Sequence, residues 1–334
     1  MYNSKISGLG FYVPDNVVTN EDLSKIMDTS DEWIQERTGI KQRHWIKEGS
    51  NETSATMGAR AAEIAIERAG LDKDDIDFII FATLSPDFYF PGCGVQIQEM
   101  LEMRTIGALD IRNQCSGFVY ALSTGDQFIK TGMYKNILVI GSEYHSNGLD
   151  KTTRGRGVSV IFGDGAGACV LSRTEDNQKG ILSSHLHSEG KYADKLIVES
   201  PSIKHWVPEI LNSKEEDLSY FPYMDGTFVF KNAVVRFSEV IMEALSVNKI
   251  GPDDIDLFIP HQANLRISQF IQQKFKLRDD QVYNNITNYG NTTAASIVIA
   301  LTEAWEKGKV KEDDIVLLAA FGSGFTWGSV LLRW

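Results

Sequence analysis

The 334-residue chain is poor in cysteine, lacks any long apolar segment and has no cluster of basic residues. Its three cysteines, Cys93, Cys115 and Cys169, form an odd and sparse set that argues against a disulfide framework and favours a reducing cytoplasm. Their spacing suits no zinc site, so we expect no metal. No run of about 18 apolar residues is present, and residues 1–10 lack the pattern of a signal peptide. We therefore expect a cytoplasmic protein without a membrane span.

Basic residues are fewer than acidic residues. Acidic residues outnumber them by 45 to 33, which gives a formal net charge of −12 and argues against nonspecific binding of nucleic acid or of an anionic membrane. Apolar residues make up 43% and charged residues 23% of the chain, a globular balance that excludes a disordered chain or a fibre. At roughly 150 residues per domain, the length allows about two domains.

Short apolar runs alternate with helical patterns, which predicts an α/β fold. Residues 76–82, 137–140 and 315–320 are predicted to be buried strands. Residues 54–69 are predicted to form a helix with Gly70 at its C-cap.

Two sequence motifs recur in the same order, about half the chain length apart. The motif D-D-I-D at residues 74–77 returns at 253–256, and the strand at 136–140 has a counterpart at 314–318. This indicates an internal duplication. The alternative is that D-D-I-D is only a common link between a helix and a strand.

A duplication divides the chain into residues 1–173 and 174–334. The compositional outlier lies at about 199–225, which holds three prolines, a charged stretch and the aromatic cluster at 220–223. We interpret it as an excursion from the fold that caps a site. A surface loop without function is the alternative.

Cys115 is the candidate nucleophile, in the turn Asn113-Gln-Cys-Ser-Gly117 between a predicted strand and a predicted helix. A sulfur at a helix N-terminus is expected to have a lowered pKa. The duplication would place Asn291, at another helix start, opposite Cys115. A buried apolar role for the cysteine and an N-cap role for the asparagine are the alternatives.

His261 directly follows the predicted strand at 255–259, and reacting groups of α/β proteins lie at the carboxyl ends of strands. An incidental histidine is the alternative, and the other five lack such a context. The glycine-rich segment 162–168 precedes a predicted strand rather than a helix, so it is not a dinucleotide loop. The segment 321–328 is predicted to be a tight turn whose N–H groups form an oxyanion hole.

The chain resembles the β-ketoacyl-acyl-carrier-protein synthase III family over nearly its whole length. The motifs that carry the resemblance are CSGF at 115–118, PHQAN at 260–264, GNTTAAS at 290–296, GFTWG at 324–328, and the N-terminal segments 29–34 and 37–40. The resemblance implies the thiolase fold, a duplicated five-layer α-β-α-β-α arrangement, in a homodimer without a cofactor other than its acyl-coenzyme A substrate.

The family resemblance also implies the reaction. The thiolate of Cys115 accepts an acyl group from acyl-coenzyme A, and the N–H groups of Cys115 and Ser323 hold the oxyanion. His261 and Asn291 then activate malonyl-acyl carrier protein for decarboxylative condensation, which starts a fatty acid.

Further roles follow by position in the family motifs. The coenzyme A tunnel is implied at Trp33, Arg37, Arg156, Phe162 and Asn264. Phe90 corresponds to the residue that closes the acyl pocket of the neighbouring subunit. Arg266, with Lys274, is implied at the surface that docks acyl carrier protein; a solvated helix is the alternative for the lysine.

Some residues depart from the family pattern. Ser323 replaces the middle of three glycines, and Asn113 and Gln114 precede the cysteine where small residues are usual. The excursion at 199–225 is also long. A same-fold synthase or acyltransferase for longer or unusual acyl groups in secondary metabolism is therefore the alternative function. A non-catalytic acyl-binding protein is disfavoured, because binding alone needs neither His261 nor Asn291.

Overall fold

The computed structural model describes residues 2–203, 207–214 and 217–334, without the side chains of residues 207 and 209. Its strands are β1 Asn3–Tyr12, β2 Val17–Thr19, β3 Gln42–His44, β4 Phe78–Ala82, β5 Gly107–Ile111, β6 Asn136–Glu143, β7 Gly165–Thr174, β8 Gly180–Ser188, β9 Leu196–Ile197, β10 Tyr223–Met224, β11 Leu257–Pro260, β12 Ile315–Gly322 and β13 Thr326–Arg333. Its α-helices are α1 Asn20–Ser24, α2 Asp31–Thr38, α3 Ser54–Arg68, α4 Cys93–Met100, α5 Gly117–Lys130, α6 Arg156–Ser159, α7 Val207–Asn212, α8 Gly226–Asn248, α9 Leu265–Phe275, α10 Ile286–Tyr289 and α11 Ala295–Glu306.

The predicted strands and helix are confirmed within a few residues at their ends. The helix α3 begins where the Thr53 side chain accepts the N–H of Thr56, and Gly70 beyond its end has a φ of 67°. The strands β4, β6 and β12 are continuous apolar runs because both faces of each sheet are covered. The glycine-rich segment leads into β7, as expected.

Two sheets have matching topology. The first has the order β1-β7-β6-β4-β5, and the second has the order β8-β13-β12-β11. In each, a parallel pair (β4 with β6, β11 with β12) is followed by two antiparallel pairs, and the first sheet adds β5, which is parallel to β4. This correspondence supports the internal repeat, while the boundary between residues 173 and 174 stays a prediction.

The helices and sheets form the predicted five layers. The helices α5 and α11 lie between the two sheets and share one apolar core with both. The helices α3 and α4 cover the outer face of the first sheet, and α8 and α9 cover the outer face of the second. The two sheets therefore enclose α5 and α11 in one shared core.

The excursion lies outside these layers. It is anchored by the short antiparallel pair of β9 and β10, while Ile203 and Leu211 are 80% and 79% exposed. Part of it, including His205 and two residues of the charged stretch, lies outside the described residues. In the described part of the chain, no helix is long and apolar enough to span a bilayer.

Candidate active site

Cys115 lies where β5 gives way to α5, in a single 3₁₀ turn from Gln114 to Ser116. Gln114 has a φ of 44°, a left-handed conformation that turns the chain sharply. Gly322, at the end of β12, packs so closely that an added Cβ would lie 2.8 Å from the Cβ of Cys115. The absence of a side chain at Gly322 therefore lets the end of β12 pack against the backbone and Cβ of Cys115.

The pKa of the Cys115 thiol is not lowered, and this part of the sequence prediction is wrong. Burial raises the pKa to about 12, and the charge of Glu143 adds to the increase. The N–H groups of Cys115 and Ser323 and the hydroxyl of Thr293 act in the opposite direction by hydrogen bonding to the sulfur. The helix start thus supplies donors, but in the free protein desolvation outweighs them.

His261 follows β11 and is buried. Its Nδ1 lies 2.6 Å from the Ser296 hydroxyl oxygen, and that oxygen also accepts the N–H of Gln262 at 3.4 Å. When the Ser296 hydroxyl donates to Nδ1, the proton of the neutral imidazole lies on Nε2. Among the described residues Nε2 has no hydrogen-bond partner although it is buried, and desolvation lowers the pKa of this imidazole to about 3. The side chain is thus a neutral imidazole.

Asn291 is held at the start of the segment that leads into α11. Its backbone N–H donates to the Ile161 carbonyl at 2.8 Å, and its Oδ1 accepts the N–H of Thr293 at 2.8 Å. That contact fixes the amide so that Nδ2 lies on the opposite side from Thr293. Thr293 contacts Cys115 and Ser296 contacts His261, so all three candidate residues meet at the start of α11.

Ser323 occupies the turn between β12 and β13. Its N–H points to the Cys115 sulfur, whereas its hydroxyl donates to the Leu196 carbonyl of β9. The serine side chain therefore ties the oxyanion turn to the base of the excursion.

Sequence reasoning missed Glu143, the last residue of β6, which is fully buried. Its carboxylate accepts the hydroxyls of Thr83 and Ser85 at 3.1 and 2.7 Å and the N–H of Leu84 at 3.1 Å. Burial raises the pKa of Glu143 to about 7 despite these donors. The rule that singled out His261, a polar residue at the carboxyl end of a strand, also applies here.

The residues that the resemblance implies for coenzyme A lie near one another around Trp33, and we refer to this group as the basic entrance. The guanidinium carbons of Arg37 and Arg156 lie 4.5 and 5.3 Å from the centroid of the Trp33 ring. Asn264, the N-cap of α9, donates from Nδ2 to the Arg37 carbonyl at 2.9 Å. Phe162 packs in the same small core as Trp33.

The remaining implied residues, Phe90, Arg266 and Lys274, are exposed. Phe90 is 79% exposed in the loop before α4, next to the open edge of the first sheet. Arg266 and Lys274 lie on the exposed side of α9, whose first residue packs against Gly39 beside the basic entrance. In the described part of the chain, no group of three histidine, cysteine or acidic side chains is arranged to hold a metal ion.

The chain is similar to known proteins over nearly its whole length. Family models described as 3-oxoacyl-[acyl-carrier-protein (ACP)] synthase III and its C-terminal part match residues 109–190 and 245–334. A β-ketoacyl-[acyl-carrier-protein] synthase III from Sulfurovum sp. (strain NBC37-1) is 44% identical over 97% of this chain and 94% of that relative. The crystal structure of 3-oxoacyl-[acyl-carrier-protein] synthase III from Aquifex aeolicus VF5 has a TM-score of 0.90 and 43% identity, covering 99% of this chain and 100% of that one. The priming β-ketosynthase of the R1128 polyketide biosynthetic pathway has a TM-score of 0.88 and 30% identity, over 99% and 96% of the chains.

Proposed function

Because the chain belongs to the β-ketoacyl-[acyl-carrier-protein] synthase III family, we propose that Cys115, His261 and Asn291 carry out its condensing reaction. The protein is an acyltransferase of the 3-oxoacyl-acyl-carrier-protein synthase III type and acts in fatty-acid biosynthesis. The observation that carries the assignment of residues is the neutral, buried imidazole of His261 beside the start of α11, whose Nε2 has no partner among the described residues.

In the first half-reaction, the sulfur of Cys115 attacks the thioester carbonyl of an acyl-coenzyme A. The N–H groups of Cys115 and Ser323 already face the sulfur, so they lie where the carbonyl oxygen acquires negative charge. The carbon–sulfur bond to coenzyme A then breaks. The proton of the Cys115 thiol ends on the departing coenzyme A sulfur, and the acyl group stays on Cys115.

In the second half-reaction, malonyl-acyl carrier protein places its thioester oxygen against Nε2 of His261 and Nδ2 of Asn291. The bond between the malonyl α-carbon and its carboxylate breaks and releases CO₂. The resulting enolate carries its negative charge on the thioester oxygen, which both donors stabilise. The enolate carbon attacks the acyl carbonyl, and the bond to the Cys115 sulfur breaks to give the 3-oxoacyl product. One such donor is worth roughly 3 kcal/mol in the transition state.

The basic entrance fits the substrate carrier. Trp33 offers an aromatic face for the adenine ring, and Arg37 and Arg156 offer charge for phosphates. Asn264 and Phe162 are proposed to line the path of the pantetheine arm. Arg266 and Lys274, exposed beside this entrance in a protein of net charge −12, are proposed to dock the acyl carrier protein.

A homodimer is proposed from the open edge of the first sheet. The edge strand β5 exposes Leu109, and the loop before α4 exposes Phe88 and Phe90. An unpaired edge flanked by exposed aromatic side chains is suited to pair with a second copy. Phe90 would then reach the acyl pocket of the other subunit.

Both steps use only a thiol, an imidazole and amides, so we propose that the reaction needs no cofactor besides the coenzyme A of the substrate. The three cysteines are free thiols. Free thiols fit action in the cytoplasm.

The two half-reactions separate the roles. The variant His261→Ala should still form the acyl-enzyme from acyl-coenzyme A, but its malonyl decarboxylation should fall about 100-fold or more with the loss of one donor. Ser296→Ala should reduce decarboxylation less, because it removes only the hydrogen bond to Nδ1 of His261 and leaves the imidazole in place. His187→Ala, on β8, serves as the control. Equal loss of both half-reactions in His261→Ala would show that His261 acts as the base for Cys115.

A second candidate function is condensation of longer or unusual acyl groups. The hydrogen bond from Ser323 to β9 favours it, because this bond couples the excursion to the oxyanion turn. Its test is the acyl-coenzyme A panel described in the Discussion.

A further inference from the structure

His145 is a buried histidine that the reaction above does not use. It lies two residues beyond Glu143 and is 8% exposed. Its backbone N–H donates to Oδ1 of Asp164 at 2.7 Å, and its ring packs 4.8 Å from that of Phe162, centroid to centroid. The side chain therefore has one fixed position in the protein interior.

The ring of His145 contacts the hydroxyl of Thr293, which lies beside the proposed nucleophile. Its Nε2 lies 2.6 Å from Oγ1 of Thr293, and the Thr293 hydroxyl in turn hydrogen-bonds to the Cys115 sulfur. Thr293 is fully buried, and its left-handed φ of 47° and its N–H bond to Asn291 hold it in place. Its hydroxyl thus lies between an imidazole and the thiol.

We propose that His145 and Thr293 form a positioning pair that directs a hydroxyl donor at the Cys115 sulfur and so sets the reactivity of the nucleophile. The inference rests on the proposed role of Cys115. When His145 donates from Nε2–H to Oγ1, the hydrogen of the Thr293 hydroxyl is directed to the sulfur, and the thiolate gains a third donor beside the two backbone N–H groups. The opposite arrangement would leave the thiolate with the backbone donors alone.

The environment explains why a third donor matters. Burial and the carboxylate of Glu143 both raise the pKa of the Cys115 thiol, so thiolate formation is costly at this position. Desolvation lowers the pKa of His145 to about 3, so the imidazole stays neutral and adds no charge of its own. A hydrogen bond to a charged group changes such an equilibrium by roughly 10- to 100-fold.

The test measures the thiol itself, independently of the acyl reaction. The rate of alkylation of Cys115 by iodoacetamide is followed against pH by peptide mass spectrometry, in the wild type, Thr293→Val and Thr293→Ser. We expect Thr293→Val to move the midpoint upward by about one pH unit or more, and Thr293→Ser to stay close to the wild type. His145→Leu should raise the alkylation midpoint by less than Thr293→Val does. His145→Gln, which keeps a hydrogen-bond donor, should have a midpoint close to that of the wild type.

Acylation adds a second readout. In Thr293→Val, acylation by acyl-coenzyme A should fall at least about tenfold more than malonyl decarboxylation, since the latter depends on His261 and Asn291. An alkylation profile of folded Thr293→Val that matches the wild type would overturn the proposal, as would an equal slowing at every pH. A shifted profile in a protein that accepts no acyl group would refute the proposed function instead.

Discussion

At the scale of single residues, the surroundings of each cysteine distinguish the nucleophile from the other two. Burial raises the pKa of Cys93 to about 12 and also raises that of Cys169. Only Cys115 combines such burial with hydrogen bonds from the Ser323 N–H and the Thr293 hydroxyl. Its reactivity therefore depends on donors that act once negative charge forms on the sulfur.

We predict that Cys115→Ser abolishes the acyl-enzyme. A serine hydroxyl in this desolvated site has a much higher pKa than a thiol and is a weaker nucleophile. Whole-protein mass spectrometry after incubation with acyl-coenzyme A should show the acyl mass on the wild type and not on the variant. Cys169→Ser is the matched control and should be acylated like the wild type. A covalent adduct on Cys93 or Cys169 would contradict the assignment.

At the scale of structural elements, Glu143 joins the end of β6 to the segment after β4. Its buried carboxyl has a pKa of about 7, above its ordinary value of 4.5. Since the folded state binds the proton more tightly than the unfolded state, this group's contribution to stability is present below pH 4.5 and is lost as the pH rises through 7.

Glu143→Gln should remove that pH dependence, because the amide does not ionise. The free energy of unfolding of the variant, minus that of the wild type, should rise between pH 4.5 and 7 by up to about 3 kcal/mol. Urea unfolding at several pH values measures it. Taking the difference cancels the titration of the buried histidines. A difference that does not change with pH would show that Glu143 is ionised throughout.

The excursion is the element expected to tune the substrate. The Ser323 hydroxyl donates to the Leu196 carbonyl of β9, the strand that pairs with β10 of the excursion. Met224 of β10 packs in the same core as Trp33 and Phe162. The excursion thus contacts the entrance directly and is linked to the oxyanion turn through β9. This contact supports the interpretation of residues 199–225 as a cap rather than as an unrelated loop.

We predict that Tyr220→Ala/Tyr223→Ala changes the acyl preference in a graded way. One methylene in an apolar pocket discriminates by only about 1–3 kcal/mol. Rates of Cys115 acylation by acetyl-, butyryl-, octanoyl- and branched-chain coenzyme A measure the preference. Leu211→Ala, at an exposed position of the same segment, is the control. A strong acetyl preference that the double variant leaves unchanged would remove the excursion from substrate selection.

At the scale of the whole molecule, assembly is expected to complete the pocket. Leu109→Asp places a charge on the open edge of β5 and should dissociate the proposed dimer. Because Phe90 would no longer reach the other subunit, acylation should fall with it. Sedimentation velocity and the acylation rate test both effects. Met242→Asp, an exposed position on α8, is the control. A Leu109→Asp protein that sediments as a dimer would place the interface elsewhere.

Local sequence patterns were sufficient to predict the strands and helices and the candidate reactive side chains. Apolar runs bounded by turn residues located β4, β6 and β12, because strands covered on both faces need continuous apolar sequence. The strand-to-turn contexts of Cys115 and His261 identified the candidate side chains. These sequence patterns are local, so they can be recognised without knowledge of the tertiary contacts.

The pKa values and hydrogen bonds of those side chains depend on how distant segments pack together. The raised pKa of Cys115 comes from burial between two sheets and from Glu143, which is 28 residues away along the chain by residue number and is brought to the site by β6. The link from His145 through Thr293 joins the two halves of the chain. Desolvation and hydrogen bonds between distant segments depend on packing in three dimensions, and no local pattern encodes them.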